Sequence, residues 1–264
     1  MNFIFPMGGL SQRFTDAGYT VPKFMLDLHG FSVFEHAVIG FRRYFQGHTF
    51  IFAFRDDQTT EAFVKEKCRC MGIPEENVRI VKLAGPTSGQ AETVWIAAQK
   101  AGLSPTEAIV IFNIDSFQSD FIFPTEFDLD CTDGYLEVFV GLGDHWSFVL
   151  PGPDHTACRV TEKERVSELC STGLYFFKHA GDFNSAFQQT LDMDLSDLQG
   201  GERYVAPLYN TLISKQMSIK YQLVPMGSVT FCGTPDEYND LLNDVPPPTS
   251  KLLEQRLGAK IISQ

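Results

Sequence analysis

Short, almost unbroken apolar runs alternate along the first half of the chain with longer stretches in which apolar residues recur every three or four positions. Asn2-Phe3-Ile4-Phe5 is bounded by Pro6 and a pair of glycines, a length and boundary that suit a short buried strand better than a helix. Over 31–41, Val33, Phe34, Ala37, Val38 and Phe41 fall close to the i, i+3, i+4, i+7 spacing of an amphipathic helix. The same reading gives strands over 49–54, 78–83 and 108–112 and helices over 58–71 and 90–101, the helices stopped by Gly72 and Gly102. Strands alternating with helices predict a doubly wound, mainly parallel sheet of Rossmann-like α/β type. Right-handed crossovers then bring the strand C-termini to one edge.

From about residue 121 the rhythm changes. Shorter strands are expected over 136–142, 146–150, 159–162 and 172–177, and their Pro and Gly interruptions suit antiparallel additions at one side of the sheet. Helices over 183–191, 204–215 and 235–243 and strands over 219–224 and 228–232 follow, before Pro246-Pro247-Pro248 breaks the chain ahead of a helix over 250–257. With no internal repeat and no low-complexity linker, the expected organisation is one domain over 1–245 and a C-terminal segment over 246–264.

Composition narrows the function. The 264 residues suffice to bury one substantial core, and the 24 phenylalanines make that core bulky. No run approaches ~20 apolar residues, so no membrane contact is expected. No basic stretch leads into an apolar one, so a secretory leader is not expected either. The six cysteines are scattered, and Cys68-Arg69-Cys70 is not a zinc spacing; reduced thiols and a cytoplasmic location follow. A formal net charge of −12 argues against general nucleic-acid binding and repels nucleotides at long range. Any phosphate site must therefore be a local device.

Pro6-Met7-Gly8-Gly9-Leu10-Ser11-Gln12-Arg13, closed by Pro22-Lys23, is such a device. Adjacent glycines at a strand C-terminus let backbone N–H groups approach an anion, and Arg13 and Lys23 add two positive charges. The same residues also make a plain surface turn with two solvated cations. Neither the P-loop spacing nor the G-x-G-x-x-G dinucleotide fingerprint is present, although Asp27 lies at about the distance of a ribose contact.

Gly8-Gly9-Leu10-Ser11-Gln12-Arg13 with Pro22-Lys23 resembles the G-G-x-G-[ST]-R…P-K signature of the nucleotidyltransferases of the nucleotide-sugar pyrophosphorylase superfamily. The run from Phe5 to Phe14, with Gly18-Tyr19, is similar to a bacterial capsule and surface-glycan branch that includes cytidylyltransferases. Two letters depart: Ser11 stands at the third glycine and Gln12 at the Ser/Thr. Thr87-Ser88-Gly89-Gln90-Ala91-Glu92-Thr93 resembles the family's base-recognition loop, and read by itself it is a helix start capped by Thr87 or Ser88. Asn113-Ile114-Asp115 follows a strand and matches the metal aspartate, since Mg²⁺ takes one or two carboxylates plus phosphate oxygens.

Glu162-Lys163, followed by Thr172-Gly173, is similar to the acceptor-pocket pair, though adjacent Glu and Lys also form ordinary solvated pairs. Glu202 and Tyr204, together with Trp146 and Ser147, join that pocket by the same resemblance. Where the family often places a second metal carboxylate, the chain has Phe231, so Asp144, Asp236, Glu237 or water would have to substitute.

The resemblance, which runs to about residue 243, implies a three-layer α/β/α fold. It also implies a Mg²⁺-dependent transfer of NMP from an NTP, CTP favoured, to a sugar 1-phosphate or other small phosphate monoester, releasing pyrophosphate. Met7, Gly8, Gly9, Leu10, Ser11, Gly89 and Gln90 would seat the nucleotide, and Arg13, Lys23 and Asp115 would carry the chemistry. Two other readings remain open: a nucleotide-binding regulatory subunit, motivated by Ser11, Gln12 and Phe231, and a glycosyltransferase using Asp128-Leu129-Asp130 or Asp192-Met193-Asp194 as a metal motif. The sequence leaves the oligomeric state open.

Overall fold

The first strand, β1 (Asn2–Met7), divides the core: Phe3, Phe5 and Met7 point to one face and Ile4 to the other, as a pleated strand requires. The computed structural model describes residues 1–57 and 59–261. After β1 come α1 (Gln12–Asp16), a ribbon of β2 (Asp27–Leu28) with β3 (Phe31–Ser32), α2 (Val33–Ile39), β4 (Thr49–Arg55), α3 (Thr60–Met71), β5 (Val78–Leu83), α4 (Gln90–Lys100) and β6 (Ile109–Phe112). The second half holds β7 (Ser116–Gln118), β8 (Gly134–Val140), β9 (Ser147–Pro151), β10 (Ala157–Glu162), β11 (Leu169–Phe177), α5 (Ala180–Gln188), α6 (Tyr209–Ser214), β12 (Ile219–Leu223), β13 (Val229–Phe231), α7 (Pro235–Asn243) and α8 (Pro248–Ile261).

Among the described residues, nine strands form one mixed sheet. β5, β4, β1 and β6 run parallel and so end on a common edge. β11 joins β6 antiparallel and carries β8 and β9 beyond it, with β12 parallel to β8 and β10 antiparallel to β9. Helices α2, α3 and α8 pack on the Phe3 face and α4, α5 and α6 on the Ile4 face, giving three layers. Phe3 stacks on Phe50 and Phe5 on Phe52, at 5.0 and 5.3 Å between ring centroids, so the phenylalanines do serve the core. Each such buried ring contributes about 1.5–3 kcal/mol.

Several boundaries differ from expectation for local reasons. β1 continues through Pro6, which lies beyond the last pair with β6 and faces only Ala53 of β4. The helix expected over 31–41 begins at Val33, because Ser32 and Glu35 form a capping box and Phe31 belongs to the ribbon. Of the helix over 58–71, Gln58 lies outside the described residues. β8 starts two residues early at Gly134, where the Tyr209 ring and the Phe176 carbonyl leave no room for a Cβ. The helix over 204–215 shrinks to α6, preceded by a 3₁₀ turn containing Pro207. Of residues 228–232 only Val229–Phe231 form a strand, and it pairs with β7 outside the main sheet. The final helix begins at Pro248, and residues 262–264 of the C-terminal segment lie outside the described residues.

A carboxyl sits inside the Phe3 face. Glu137 of β8 is 3% exposed, and its Oε1 accepts hydrogen bonds from Gln118 Nε2 and, at 2.8 Å, from Thr172 Oγ1. Burial raises its carboxyl to about 7, against those two hydrogen bonds. A carboxyl raised on folding stabilises the fold below its unfolded pKa and loses that contribution as pH climbs through the folded value. Stability from this group should therefore fall between about pH 4.5 and 7. We expect Glu137→Gln to remove this slope, worth on the order of 3 kcal/mol. Denaturant titrations at pH 5 and 8 measure it, and an equal slope in both proteins contradicts the assignment.

Candidate functional site

β1 delivers Met7 to the common strand edge with its side chain in the core, 4% exposed, so only its backbone faces the loop. Gly8 lies against the end of β5 and the first turns of α4: a Cβ there would stand 2.8 Å from Leu83 Cδ1 and 3.0 Å from Thr93 Oγ1. Gly9 has open space on its Cβ side, and Leu10 is exposed. Ser11, at the place of the signature's third glycine, holds φ 51° and ψ 33°. Its carbonyl accepts from the Phe14 and Thr15 N–H groups at 2.9 and 3.1 Å, starting α1. The backbone therefore adopts the left-handed conformation that glycine enters without strain, although the residue is serine. Gln12 donates to Asp16 Oδ1 at 2.7 Å, and Arg13 stands exposed on α1.

Lys23 sits on a 3₁₀ turn behind Pro22, anchored by buried Phe24, and its ammonium forms an ion pair with Asp115 Oδ2. Both side chains are 21% exposed. Asp115 lies three residues past the end of β6, and its carbonyl accepts the Cys232 N–H at 2.8 Å, closing the ribbon of β7 and β13. Beside it, Asn113 Oδ1 accepts from Gln90 Nε2, and the Asn113 N–H donates to the Gly173 carbonyl at 3.3 Å. Gly173, at φ 87°, has the Asn113 side chain where its Cβ would be.

The start of α4 differs from the expected cap. Its N-cap is Gly89, without a side-chain cap; Glu92 instead accepts from the Ser88 N–H and hydroxyl at 2.5 and 2.7 Å, while Thr87 pairs with Thr93 at 2.8 Å. Gly89, at φ 145°, is filled on its Cβ side by the Arg203 backbone, whose N–H donates to Ser88 O and whose carbonyl accepts from Ala91 N, both at 2.8 Å. The 87–91 loop is thus zipped to the segment holding Glu202 and Tyr204.

A second group lies at the far side of the sheet. Glu162, 5% exposed, accepts from Ser147 Oγ, and burial raises its pKa, reinforced by Glu202 and opposed by Ser147 and Lys163. Lys163 donates to the Tyr204 hydroxyl at 2.7 Å and lies 4.8 Å from its ring centroid. Burial works against its charge, but Tyr204, Glu162 and Glu202 outweigh this and raise its pKa. Gly200 closes over the group, its Cβ position 3.3 Å from Glu162 and 3.4 Å from Lys163 Nζ. Trp146 holds the Lys163 N–H through its carbonyl at 2.9 Å and packs its indole on Phe231 at 4.7 Å. Thr172 departs from this set: it is 1% exposed and turned to Glu137. Gly173 likewise contacts Asn113 rather than Lys163. Asn113 and Gly200 acquire contacts that no spacing in the sequence announces, since each depends on how distant segments pack.

For a metal, Asp115 offers a hard oxygen donor at the edge where a triphosphate would lie, which suits Mg²⁺ shared with phosphate oxygens. Phe231 belongs to an aromatic cluster with Trp146 and Phe139. Asp144 and Asp236 are exposed, and Glu237 Oε2 accepts from the Gly233 and Thr234 N–H groups at 2.8 and 3.0 Å, capping α7. Among the described residues no group of three or more His, Cys, Asp or Glu side chains is placed to hold a metal ion.

No protein-family model and no curated protein matches the chain. Among solved structures, it resembles a nucleoside-diphosphate-sugar pyrophosphorylase from Vibrio cholerae RC9, at 42% identity over 92% of this chain and 100% of that one, with TM-score 0.85. An inositol-1-phosphate CTP transferase from T. maritima shares the fold at 13% identity, covering 97% of this chain and 95% of that one, with TM-score 0.69. So does a putative glucose-1-phosphate thymidylyltransferase from Bacillus anthracis at 16% identity, 94% and 98% coverage, and TM-score 0.69.

Two substitutions test the loop geometry. Gly89→Ala should cost roughly 2–4 kcal/mol, combining a glycine-only backbone with a clash against Arg203. Ser11→Gly should stabilise by up to about 1 kcal/mol, the relief of left-handed strain less the added chain entropy. Chemical denaturation measures both; a neutral Gly89→Ala or a destabilising Ser11→Gly contradicts these backbone assignments.

Proposed function

The chain belongs to the nucleoside-diphosphate-sugar pyrophosphorylase family of nucleotidyltransferases, and from that membership we propose that it transfers NMP from an NTP, CTP favoured, to a small phosphate monoester, releasing pyrophosphate. The observation that carries the reading is the placement of Lys23 and Asp115 as an ion pair at the edge where the glycine loop and the Asn113–Gln90 contact also lie. A nucleotide triphosphate gives each partner a new role. Lys23 turns to the α-phosphate, and Asp115 would hold a divalent metal, Mg²⁺, which would neutralise phosphate charge when bound.

The acceptor phosphate attacks the α-phosphorus in line with the leaving pyrophosphate. As an anion it needs no general base, so positioning and charge stabilisation dominate. The N–H groups of the Met7–Ser11 loop seat the phosphates, and Arg13, exposed on α1, steadies the β/γ-phosphates. Gln90, oriented by Asn113, meets the edge of a pyrimidine ring. Lys163, held by Tyr204, grips the acceptor phosphate, while Glu162 and Glu202 receive its hydroxyls or amine and Trp146 walls the pocket. Thr172, turned to Glu137, stands outside this pocket, and Gly173 lets Asn113 approach. We place the protein in the cytoplasm, serving capsule or surface-glycan synthesis, with residues 1–245 as the catalytic domain. No helix among the described residues is long and apolar enough to cross a membrane.

Calorimetric titration tests the nucleotide side: CTP should bind more tightly with Mg²⁺ than without, and ahead of ATP and GTP. Tighter ATP or GTP binding sinks the base assignment. Lys23→Ala should lower kcat by roughly two to three orders of magnitude while NTP affinity changes little, the signature of a contact made in the transition state. Lys163→Ala should instead raise the acceptor KM with NTP binding intact, and an unchanged acceptor KM removes Lys163 from the pocket.

A further inference from the structure

The ribbon of β7 and β13 begins directly after Asp115, and one buried carboxyl ties it to the main sheet. Glu137 Oε1 receives Gln118 Nε2, from the last residue of β7, and Thr172 Oγ1, from β11. Gln118 and Thr172 are themselves 4% and 1% exposed. Thr172 lies in a bulge, where the pairing of β11 with β8 shifts register between Ser171 and Tyr175. The next residue is Gly173, which receives the Asn113 N–H and has the Asn113 side chain against its bare Cα. Asn113 in turn receives Gln90. A single acid is therefore bonded to the strand that continues from Asp115 and to the bulge that supports Asn113 and Gln90.

Packing alone does not require an acid here. Among the described residues no ion pair reaches Glu137, and an unpaired buried carboxyl is costlier than an apolar side chain of equal volume. Gln222 faces Glu137 in register on β12, and a cavity of about 170 Å³ bordered by Gln118, Asp120, Gln222 and Ser228 opens beside it. A bulge is the usual means of re-aiming strand residues at a site, and a side chain that fixes both the bulge and the neighbouring ribbon fixes their separation.

We propose that Glu137 is a positioning residue for the transfer reaction: by holding Gln118 and Thr172 together it sets Asp115 against Gly173, Asn113 and Gln90. The proposal rests on the functional reading above and extends it to a side chain that touches no substrate.

Glu137→Gln keeps the shape and an acceptor oxygen, whereas Glu137→Met keeps the bulk without one. Gln118→Met breaks only the bond to β7 and serves if Glu137→Met folds poorly by its melting curve. Pyrophosphate release at saturating metal should show kcat about tenfold lower in Glu137→Met and in Gln118→Met, with both KM values within about threefold of wild type, and kcat restored to within about threefold in Glu137→Gln. Mn²⁺ titrated into CTP-saturated protein should bind about fivefold more weakly in both Met variants, a readout that needs no turnover. Unchanged kcat and unchanged Mn²⁺ affinity in the Met variants overturn the proposal, as does a Gln variant as impaired as the Met variant. A wild-type protein that releases no pyrophosphate contradicts the functional reading instead, and the Mn²⁺ titration then still decides the role of Glu137.

Discussion

Lys23 and Asp115 meet across 92 residues of chain, and their ion pair states the constraint that the rest of the structure satisfies. A protein of formal charge −12 gains nothing at long range from a polyanionic ligand, so its cations must be held in place locally, as Lys23 is by Asp115. Parallel β5, β4, β1 and β6 do this by ending on a common edge, which brings the loop after β1 and the loop after β6 side by side. The two aromatic-rich faces of the sheet fix that edge, because shifting β1 by one residue would exchange Phe3 and Phe5 with Ile4 between layers.

The parallel half of the fold was legible because three of its strands, β1, β4 and β6, are short apolar runs almost wholly buried and its helices carry plain 3.6-residue periodicity. β5 and α7 fall where the pattern places them. β7 escaped because three residues, Ser116-Phe117-Gln118, are too short for any periodicity to register, yet this strand anchors the segment after Asp115. β8 was displaced because glycine reads as a breaker in sequence, whereas Gly134 is a strand residue whose missing side chain admits Tyr209 and Phe176.

The candidate site was legible where chemistry is local and opaque where it is packed. The glycine loop, Lys23 and Asp115 carry their meaning in residue type and order. The meaning of Gly89 depends on Arg203, which lies more than a hundred residues away, and Thr172 looks like a pocket residue until Glu137 is seen to claim its hydroxyl. Of the three residues that motivated a regulatory reading, Ser11 holds a left-handed backbone and Gln12 donates to Asp16. The acidic pairs that motivated a glycosyltransferase reading follow no strand. Asp128 caps its own 3₁₀ turn through the Asp130 N–H at 2.9 Å, and the Met193 carbonyl between Asp192 and Asp194 accepts from Arg203 at 3.1 Å. Phe231 is the larger departure, because where the resemblance leads one to expect a second carboxylate the chain has a ring packed on Trp146.

The central claim is that this edge joins an NTP to a phosphate monoester with loss of pyrophosphate. A matrix of the four NTPs against sugar 1-phosphates and small non-sugar phosphate esters, read by pyrophosphate release in wild type and in Asp115→Asn, tests it most directly. The account predicts that at least one pyrimidine nucleotide and acceptor pair releases pyrophosphate in the wild type, and that Asp115→Asn nearly abolishes this while its melting curve is unchanged. Absence of release for every pair, or full release by a folded Asp115→Asn protein, would contradict it.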